Sequence, residues 1–288
     1  MALGDKVIIT CAVTGAVTTK KQCAAIPYSA VEIGEECRRA YEAGATVVHV
    51  HGRSDDGQPS YDAGVFEAYK REIEQRCPVI INFSTGAVGL TKEQRINHVL
   101  KTRPHIGALN MGSMNYAKYS AKKKSFVFSF VFANPFDEII FYLKAMTEVG
   151  VRPECECFDT SHVASLEPLL DMGLLTGPID INIVLGVMGG APATPDHLQF
   201  IATHLPKGSV WKTTPISTAT WPLTSMALGM GGNVRVGLED NFYLPNGEMV
   251  KSNGELVAQA ASMAKAAGRS ITTVEETKQI LGIAQGTR

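Results

Sequence analysis

Short apolar segments alternate with longer amphipathic segments along almost the whole chain, and this alternation restricts the possible folds more than any other feature. Short apolar runs between turn residues are typical of buried parallel strands, whereas an apolar stripe at helical spacing is typical of a helix. The predicted strands are residues 7–13, 46–51, 78–83, 106–110, 152–158, 180–185, 209–213 and 233–238. The predicted helices are residues 29–43, 62–75, 91–102, 135–149, 161–172, 195–204, 221–229 and 253–267.

Eight strands in strict alternation with eight helices predict an α/β fold, the (β/α)8 TIM barrel. The chain has 288 residues, 45% of them hydrophobic, which suits one such barrel, so we expect a single domain over residues 1–288. Residues 274–281 would form an additional C-terminal helix, and residues 126–132 a side strand in a long loop. A doubly wound open sheet is the alternative, but it usually has a glycine-rich turn after its first strand, which residues 14–16 do not provide.

Charge and cysteine content exclude several classes of protein. The 27 basic and 28 acidic residues give a net charge of −1, which offers no basic surface for a nucleic acid or a membrane. The six cysteines contain no Cys-x-x-Cys pair, and a disulfide scaffold is implausible at this size. No signal-peptide segment precedes the first strand pattern, and no apolar run approaches membrane-spanning length. We therefore expect a cytoplasmic protein with no nucleic-acid or membrane partner.

The second predicted strand contains two alternating histidines, His49 and His51. Alternate side chains of a strand lie on the same face, so the two rings point the same way, about 6–7 Å apart along the backbone. Both rings can therefore bind one metal ion. Core histidines that hydrogen-bond to their neighbours are an equally good interpretation of this pattern alone.

Glu239 and Asp240 follow the eighth predicted strand, which is two places from the second strand around a closed barrel. Active sites of these barrels lie at the C-terminal ends of the strands. Glu239 is therefore a candidate third ligand in an open two-histidine, one-carboxylate site, which suits zinc as a Lewis acid. Arg235 is a candidate ion-pair partner of Asp240, either structural or poising a base. The alternative for Glu239 and Asp240 is a loop pair that caps the next segment.

Glu154 and Glu156 alternate with Cys155 and Cys157 in the fifth predicted strand. Because carboxylates against the apolar helix layer would be costly, we expect the glutamates to face the barrel interior and the cysteines to face the helices. Glu156 lies nearer the C-terminal end of the strand and is the better active-site candidate. An interior salt bridge is the alternative.

Residues 84–87, Ser-Thr-Gly-Ala, end the third predicted strand, and their hydroxyls and amides suit a carboxylate or phosphate, although such turns are common. Residues 186–192 are glycine-rich and predict a flexible loop or a gate, since they lack the Lys-Ser/Thr pair of a phosphate-binding loop. The other five histidines lack ligand-like spacing and are interpreted as structural or exposed.

Seven short segments, taken together, resemble the β-keto acid cleavage enzymes over essentially the whole chain. They are residues 10–16 (Thr-Cys-Ala-Val-Thr-Gly-Ala), 48–51 (Val-His-Val-His), 84–86 (Ser-Thr-Gly), 109–110 (Leu-Asn), 153–156 (Pro-Glu-Cys-Glu), 185–187 (Leu-Gly-Val) and 235–241 (Arg-Val-Gly-Leu-Glu-Asp-Asn). The resemblance implies a (β/α)8 barrel, a catalytic Zn²⁺ and a homo-oligomer, here expected to be a tetramer. It also implies that a β-keto acid and acetyl-CoA give acetoacetate and a new acyl-CoA.

The resemblance also implies roles for individual residues. The metal ligands are His49, His51 and Glu239. Asp240, supported by Arg235, is the base that removes the proton between the two carbonyls. The other pocket residues implied in this way are Glu156, Ser84, Gly86, Ala87, Ala108, Asn110 and Val17.

Two positions depart from the family members that cleave an aminated substrate. At the position of Val17, those members have a glutamate that holds the substrate ammonium. At the position of Ala108, they have a threonine. We therefore expect a substrate with an uncharged or apolar tail, unless another acid such as Asp159 binds a cation.

Two other functions remain open. A metal-dependent hydrolase of the amidohydrolase type is also a barrel with a His-x-His pair, but it usually has the pair on the first strand and further strand-end histidines, both missing here. A non-catalytic binding barrel with core histidines is the second.

Overall fold

Eight parallel strands form a closed barrel in the computed structural model, which describes residues 5–284. Residues 1–4 and 285–288, the two ends of the expected domain, lie outside the described residues. The barrel strands are β1 (Ile9–Thr14), β2 (Val47–Val50), β3 (Ile80–Ser84), β4 (Ile106–Asn110), β5 (Arg152–Cys157), β6 (Ile179–Leu185), β7 (Ser209–Pro215) and β8 (Asn233–Val236). β8 pairs with β1, Arg235 opposite Thr10, and this closes the ring. The predicted (β/α)8 barrel is confirmed.

Helices surround the barrel, and at least one helix lies in each connection between consecutive barrel strands. Within residues 5–284 they are α1 (Ala30–Ala43), α2 (Ala63–Glu74), α3 (Lys92–Thr102), α4 (Phe136–Glu148), α5 (Thr160–Ala164), α6 (Leu166–Asp171), α7 (Pro195–Thr203), α8 (Thr220–Gly229), α9 (Asn253–Ala266) and α10 (Val274–Leu281). α1 begins with a capping box, in which Ser29 and Glu32 each accept a hydrogen bond from the other's backbone N–H. None of the helices in these residues is both long enough and apolar enough to cross a membrane.

The segment predicted as one helix at residues 161–172 consists of two short helices, α5 and α6. Pro168 has no N–H to donate to the carbonyl group of Ala164, and its ring would clash with that carbonyl in a continuous helix. The helix therefore breaks at Ser165, which ends α5 and precedes α6. The prediction of a single helix was wrong at this point.

An antiparallel hairpin extends from the connection between β4 and α4. Its second strand, Ser125–Phe132, confirms the side strand predicted at residues 126–132. Its first strand, Met114–Ser120, was not predicted, because its apolar and polar residues do not alternate clearly. Ala117 of this strand also pairs with Met188 in the loop after β6. The hairpin is therefore attached to the C-terminal end of the barrel.

The N-terminal end of the barrel is covered by α10 and by a two-stranded parallel sheet of Lys6–Val7 and Ser270–Ile271. Val274 and Leu281 of α10 pack in a buried cluster with apolar residues near the starts of the strands. These are Ile8, Val47, Ile80, Ile106 and Val210. The additional C-terminal helix is therefore present, and it leaves the opposite end of the barrel for a functional site.

The alternation in β5 places thiols and carboxylates on opposite sides of the barrel wall. Cys155 and Cys157 are fully buried in the main apolar core between strands and helices. Glu154 and Glu156 are buried in the barrel interior, where both form ion pairs. This is the arrangement that the cost of burying a carboxylate against apolar helices predicts. All six cysteines are free and buried.

We expect Ile181→Ala in β6 to lower the free energy of unfolding by about 2–5 kcal/mol. Ile181 is fully buried in the main core, so the truncation removes apolar contacts and leaves a cavity. Urea denaturation followed by circular dichroism measures the change. Val31→Ala, at a 55% exposed position of α1, is the control and should change stability by less than about 0.5 kcal/mol. Equal stability of the two variants would contradict the assignment of Ile181 to the core.

Candidate functional site

Three side chains suited to a metal ion converge at the C-terminal end of the barrel. His49 lies in β2, His51 just beyond it, and Glu239 shortly after β8. Nε2 of His51 is 3.4 Å from Oε1 of Glu239, and Nε2 of His49 is 3.7 Å from Oε2 of Glu239. One potential ligand atom from each residue lies within 4.8 Å of the other two. The structure therefore brings together the three side chains selected from the sequence.

Two glycines allow Glu239 to reach the histidines. Gly237 passes so close to β1 that an added Cβ would collide with the backbone of Ala12, and its φ of 153° favours glycine. This approach lets the N–H of Glu239 donate to the carbonyl oxygen of Ala12, at 3.2 Å. In the loop after β1, a Cβ on Gly15 would lie 2.7 Å from Cγ of Glu239. Side chains at either position would displace the candidate ligand.

The guanidinium of Arg235 binds three carboxylates at once. It donates two hydrogen bonds to Asp240, at 3.0 and 3.1 Å. It also lies 2.7 Å from Oε1 of Glu239 and 3.2 Å from Oε1 of Glu156. A bidentate, charge-assisted pair fixes both the position and the orientation of a carboxylate. The expected pairing of Arg235 with Asp240 is thus present, and we call these four residues the Arg235 group.

Burial and neighbouring charges give the three carboxyl groups different acidities. Burial raises the pKa of Asp240 to about 6 and the pKa of Glu156 to about 7, against the lowering effect of Arg235. Burial by itself would also raise the pKa of Glu239, but Arg235 and the two histidines bring that pKa well below the usual range. Glu239 is therefore an anion at neutral pH, whereas Asp240 is a stronger base than an ordinary aspartate.

These residues fit a divalent metal ion. Burial and the charge of Arg235 lower the pKa of His49 to about 3, so its ring is neutral and keeps a lone pair for a metal. Oε2 of Glu239 is buried and has no hydrogen-bond partner among the described residues. Two buried carboxyl groups and the partly buried Glu239 share one guanidinium, so an added cation would improve the charge balance. Two imidazoles and one carboxylate form a ligand set that zinc accepts.

A second possible ligand set shares one histidine with the first. It consists of His49, Glu154 and Glu156, with ligand atoms again within 4.8 Å of one another. The carboxylate of Glu154 is bound by Lys212 at 2.7 Å, and that of Glu156 is bound by Arg235. The first set keeps a free carboxylate oxygen and is the better candidate.

The turn after β3 lies beside the histidines. A Cβ added to Gly86 would lie 3.7 Å from Cε1 of His51. Oγ of Ser84 accepts a hydrogen bond from the N–H of Gly86 at 3.1 Å, which leaves the hydroxyl proton of Ser84 available to a ligand. Asn110, at the end of β4, is buried, and its Oδ1 has no hydrogen-bond partner in the described part of the chain. The turn and Asn110 therefore offer polar groups next to the candidate metal site.

The remaining residues expected to bind substrate occupy the ends of β1, β3 and β4. Ala108 is fully buried and pairs in register with Ser84 of β3. Ala87 is buried in the turn after β3. Val17 is 65% exposed and lies two residues beyond Gly15, in the loop that borders Glu239. The side chain of Val17 is therefore open to solvent at the rim of the site.

An apolar cluster beside the barrel mouth was not predicted. Phe132 of the hairpin lies close to the turn after β3. A Cβ added to Gly86 of that turn would be 3.9 Å from Cζ of Phe132. Tyr116 stacks on Phe130 with ring centroids 5.3 Å apart, and burial, followed by the nearby carboxylates of the Arg235 group, raises its pKa. The cluster, called the aromatic wall below, consists of Met114, Tyr116, Phe130, Phe132, Phe158, Val184, Val187 and Ile216.

A sequence signal for the aromatic wall existed in the hairpin. Every second residue from 126 to 132 is phenylalanine, which indicates one apolar face of a strand. Local alternation does not show which part of the molecule that face covers. Only the attachment of the hairpin to the loop after β6 places it beside the site.

The five other histidines have local hydrogen bonds, in agreement with the structural role expected for them. Three bind backbone groups near strand ends, and two bind partners in or next to α7. They are His98, His105, His162, His197 and His204.

Comparison with known proteins gives matches over nearly the whole chain. The family model for the beta-keto acid cleavage enzyme matches residues 6–283. The chain is 38% identical over 283 residues to the 3-keto-5-aminohexanoate cleavage enzyme of Acetoanaerobium sticklandii, covering 98% of this chain and 100% of the relative. It is 33% identical to the 3,5-dioxohexanoate:acetyl-CoA acetone transferase of Paraburkholderia graminis, covering 98% of this chain and 97% of that protein.

Among solved structures, apo ObcA shares the fold with a TM-score of 0.76 at 20% identity, covering 91% of this chain and 66% of the ObcA chain. That likeness concerns the barrel architecture. The family model and the two relatives above 30% identity agree with the resemblance carried by the seven sequence segments. The chain belongs to the β-keto acid cleavage enzyme family.

Proposed function

We propose that this chain is a zinc-dependent β-keto acid cleavage enzyme with acetyl-CoA as co-substrate. The bond between the acyl carbonyl carbon and the methylene of the β-keto acid breaks, and the acyl group passes to CoA. The acetyl group of acetyl-CoA joins the remaining fragment, so the products are acetoacetate and a new acyl-CoA. The observation that carries the proposal is the convergence of two histidines and Glu239 beside Asp240. Relatives named as acetyl-CoA transferases support it.

Asp240 is the proposed base. It would remove a proton from the methylene between the two carbonyls, and its raised pKa of about 6 makes it a better proton acceptor while it remains mostly ionised at pH 7. Arg235 keeps the carboxylate oriented through two hydrogen bonds. Glu156, with a pKa that burial raises to about 7, can hold a proton in the same Arg235 group.

His49, His51 and Glu239 would hold the metal ion. When bound, a zinc ion acts as a Lewis acid at the carbonyl oxygens, where negative charge develops. The neutral ring of His49 and the permanently charged carboxylate of Glu239 are the protonation states that metal binding requires.

The turn after β3 would bind the carboxylate of the β-keto acid. The hydroxyl of Ser84 and the backbone N–H groups at Gly86 and Ala87 are donors of the kind that bind a carboxylate. Asn110 adds a buried side-chain amide at the end of β4. The small side chain of Ala108, in register with Ser84, leaves space beside the carboxylate.

The tail of the substrate would meet an apolar surface. Val17 replaces the glutamate that the family members acting on an aminated substrate use for the ammonium, and the aromatic wall lies nearby. Asp159, the other acid considered for a cation, caps α5 by accepting a hydrogen bond from the N–H of Thr160. We therefore assign a substrate with an uncharged or apolar tail.

Four expectations from the sequence remain predictions. They are zinc as the metal, the homo-tetramer, the cytoplasmic location and the single domain over residues 1–288.

We expect the zinc-loaded protein to convert acetyl-CoA and a β-keto acid with an apolar tail to acetoacetate and the matching acyl-CoA. A panel of β-keto acids with apolar, polar and charged tails, followed by mass spectrometry of both products, measures this. Incubation without acetyl-CoA is the control. Failure of the whole panel to yield acetoacetate would sink the proposal, and substrate consumption without acetyl-CoA would favour a hydrolase.

We expect His51→Ala and Asp240→Asn to lose activity for different reasons. His51→Ala removes a proposed ligand and should lose bound zinc together with activity. Asp240→Asn removes only the base, so it should retain zinc while kcat falls by about 10²–10⁴-fold. Elemental analysis of protein purified without an affinity tag, combined with steady-state kinetics, separates the two. Retained zinc in His51→Ala would contradict its role as a ligand.

We expect Val17→Glu to shift selectivity toward a β-keto acid with an ammonium group in its tail. A hydrogen bond to a charged group contributes about 1.5–3 kcal/mol, so the ratio of kcat/KM for the aminated over the apolar substrate should rise by about one to two orders of magnitude. Val17→Gln has nearly the same shape without the charge and is the matched control. An equal shift in both variants would show that charge at position 17 does not select the tail.

A further inference from the structure

A second buried charge cluster lies next to the candidate metal site, deeper in the barrel. Nζ of Lys212 is 2.7 Å from Oε2 of Glu154 and 2.5 Å from Oδ1 of Asp180. The three side chains are 5%, 0% and 8% exposed. Asn82 and Asn182 donate further hydrogen bonds to the two oxygens of Glu154, at 2.9 and 3.4 Å. The proposed reaction uses none of these residues.

The contacts make Glu154 a fixed anion. Burial by itself would raise its pKa, but Lys212 and then His49 lower it below the usual range. Asp180 differs, because burial raises its pKa to about 6 despite the same lysine. A carboxylate with three polar partners in a buried site has little freedom to turn. Glu154 therefore presents a permanent negative charge to the neighbouring part of the barrel.

His49 lacks a partner on one of its two ring nitrogens. Its Nε2 faces Glu239, whereas its Nδ1 is buried and has no hydrogen-bond partner among the described residues. A ring nitrogen of His49 and a carboxylate oxygen of Glu154 lie within 4.8 Å of each other, a gap that one water or a small rotation can bridge. Histidines that bind a metal almost always donate their other N–H to such an acceptor.

We infer that Glu154 is a positioning residue that acts through His49 and that Lys212 holds in place. Its carboxylate accepts the Nδ1–H of His49, directly or through one water, and this fixes the ring so that Nε2 faces the metal. Lys212 keeps the carboxylate away from the metal itself. Asp180 is bound by the same lysine, so it is the second acid of this cluster and not part of the positioning contact. The inference rests on the proposed metal site.

Glu154→Gln keeps the size of the side chain and removes its charge. We expect it to weaken zinc binding by about 10–100-fold, measured on the metal-free full-length protein by competition with a chromophoric chelator. Asp180→Asn is the matched control, because it removes a carboxylate charge from the same lysine but does not face His49. Its zinc affinity should stay close to that of the unaltered protein.

Thermal unfolding of the metal-free proteins shows whether each variant folds. If Glu154→Gln does not fold, the triple variant with Glu154→Met, Asp180→Leu and Lys212→Met replaces it, because exchanging a whole buried charge cluster for apolar residues is often tolerated. The triple variant also lacks the Glu154 carboxylate, and it should show the same loss of zinc affinity.

The outcomes separate this inference from the proposed function. Unchanged zinc affinity in a folded variant without the Glu154 carboxylate, or an equal loss in Asp180→Asn, overturns the positioning role alone. Failure of the unaltered protein to bind zinc overturns the proposed function, and this inference with it. A loss of zinc affinity that is confined to the variants without Glu154 supports the positioning role.

Discussion

The site depends on the buried guanidinium of Arg235. Three carboxyl groups, those of Glu156, Glu239 and Asp240, lie in the barrel interior, and desolvation alone would oppose their ionisation. Arg235 offsets part of this cost with ion pairs to all three, and its two hydrogen bonds to Asp240 also fix the orientation of that group. Removing one partner from such a buried pair typically costs about 3–5 kcal/mol. Since one guanidinium does not neutralise three acids, the same arrangement that stabilises the site also leaves it able to accept a cation.

Two layers of charge fill this barrel where many barrels have apolar residues. The Arg235 group forms the layer at the mouth, and Lys212 with Glu154 and Asp180 forms the layer beneath it. His49 lies where the layers meet, with Nε2 3.7 Å from Glu239 and a ring nitrogen within 4.8 Å of Glu154. Each layer contains one cation and more than one acid, so an added cation would improve the charge balance of the interior. Hydrogen bonds from asparagines tie the lower layer to neighbouring strands and limit its motion.

The two parts of the site differ in how they are supported. Among the candidate ligands and the candidate base, His49 lies in a strand that is paired on both sides, and His51, Glu239 and Asp240 follow strand ends within four residues. The surfaces assigned to the substrate tail, Val17 and the aromatic wall, lie on a loop and a hairpin. Loops on a rigid scaffold vary more readily than the scaffold does. Relatives of this chain are named for different β-keto acids, 3-keto-5-aminohexanoate and 3,5-dioxohexanoate among them, and a variable tail surface on a fixed scaffold agrees with those names.

The sequence alone determined the barrel, because each strand and helix has a local hydrophobic period that does not depend on distant contacts. It also determined that Glu154 and Glu156 face inward, because the cost of burying a carboxylate leaves one orientation. It did not show the break between α5 and α6 or the first strand of the hairpin. Only the tertiary structure decided that Gly237 brings Glu239 to the histidines, that Arg235 binds three acids, and that Lys212 holds Glu154 near His49. These contacts join residues far apart in the chain, and strand register and close backbone approach, which set their distances, have no local sequence signal.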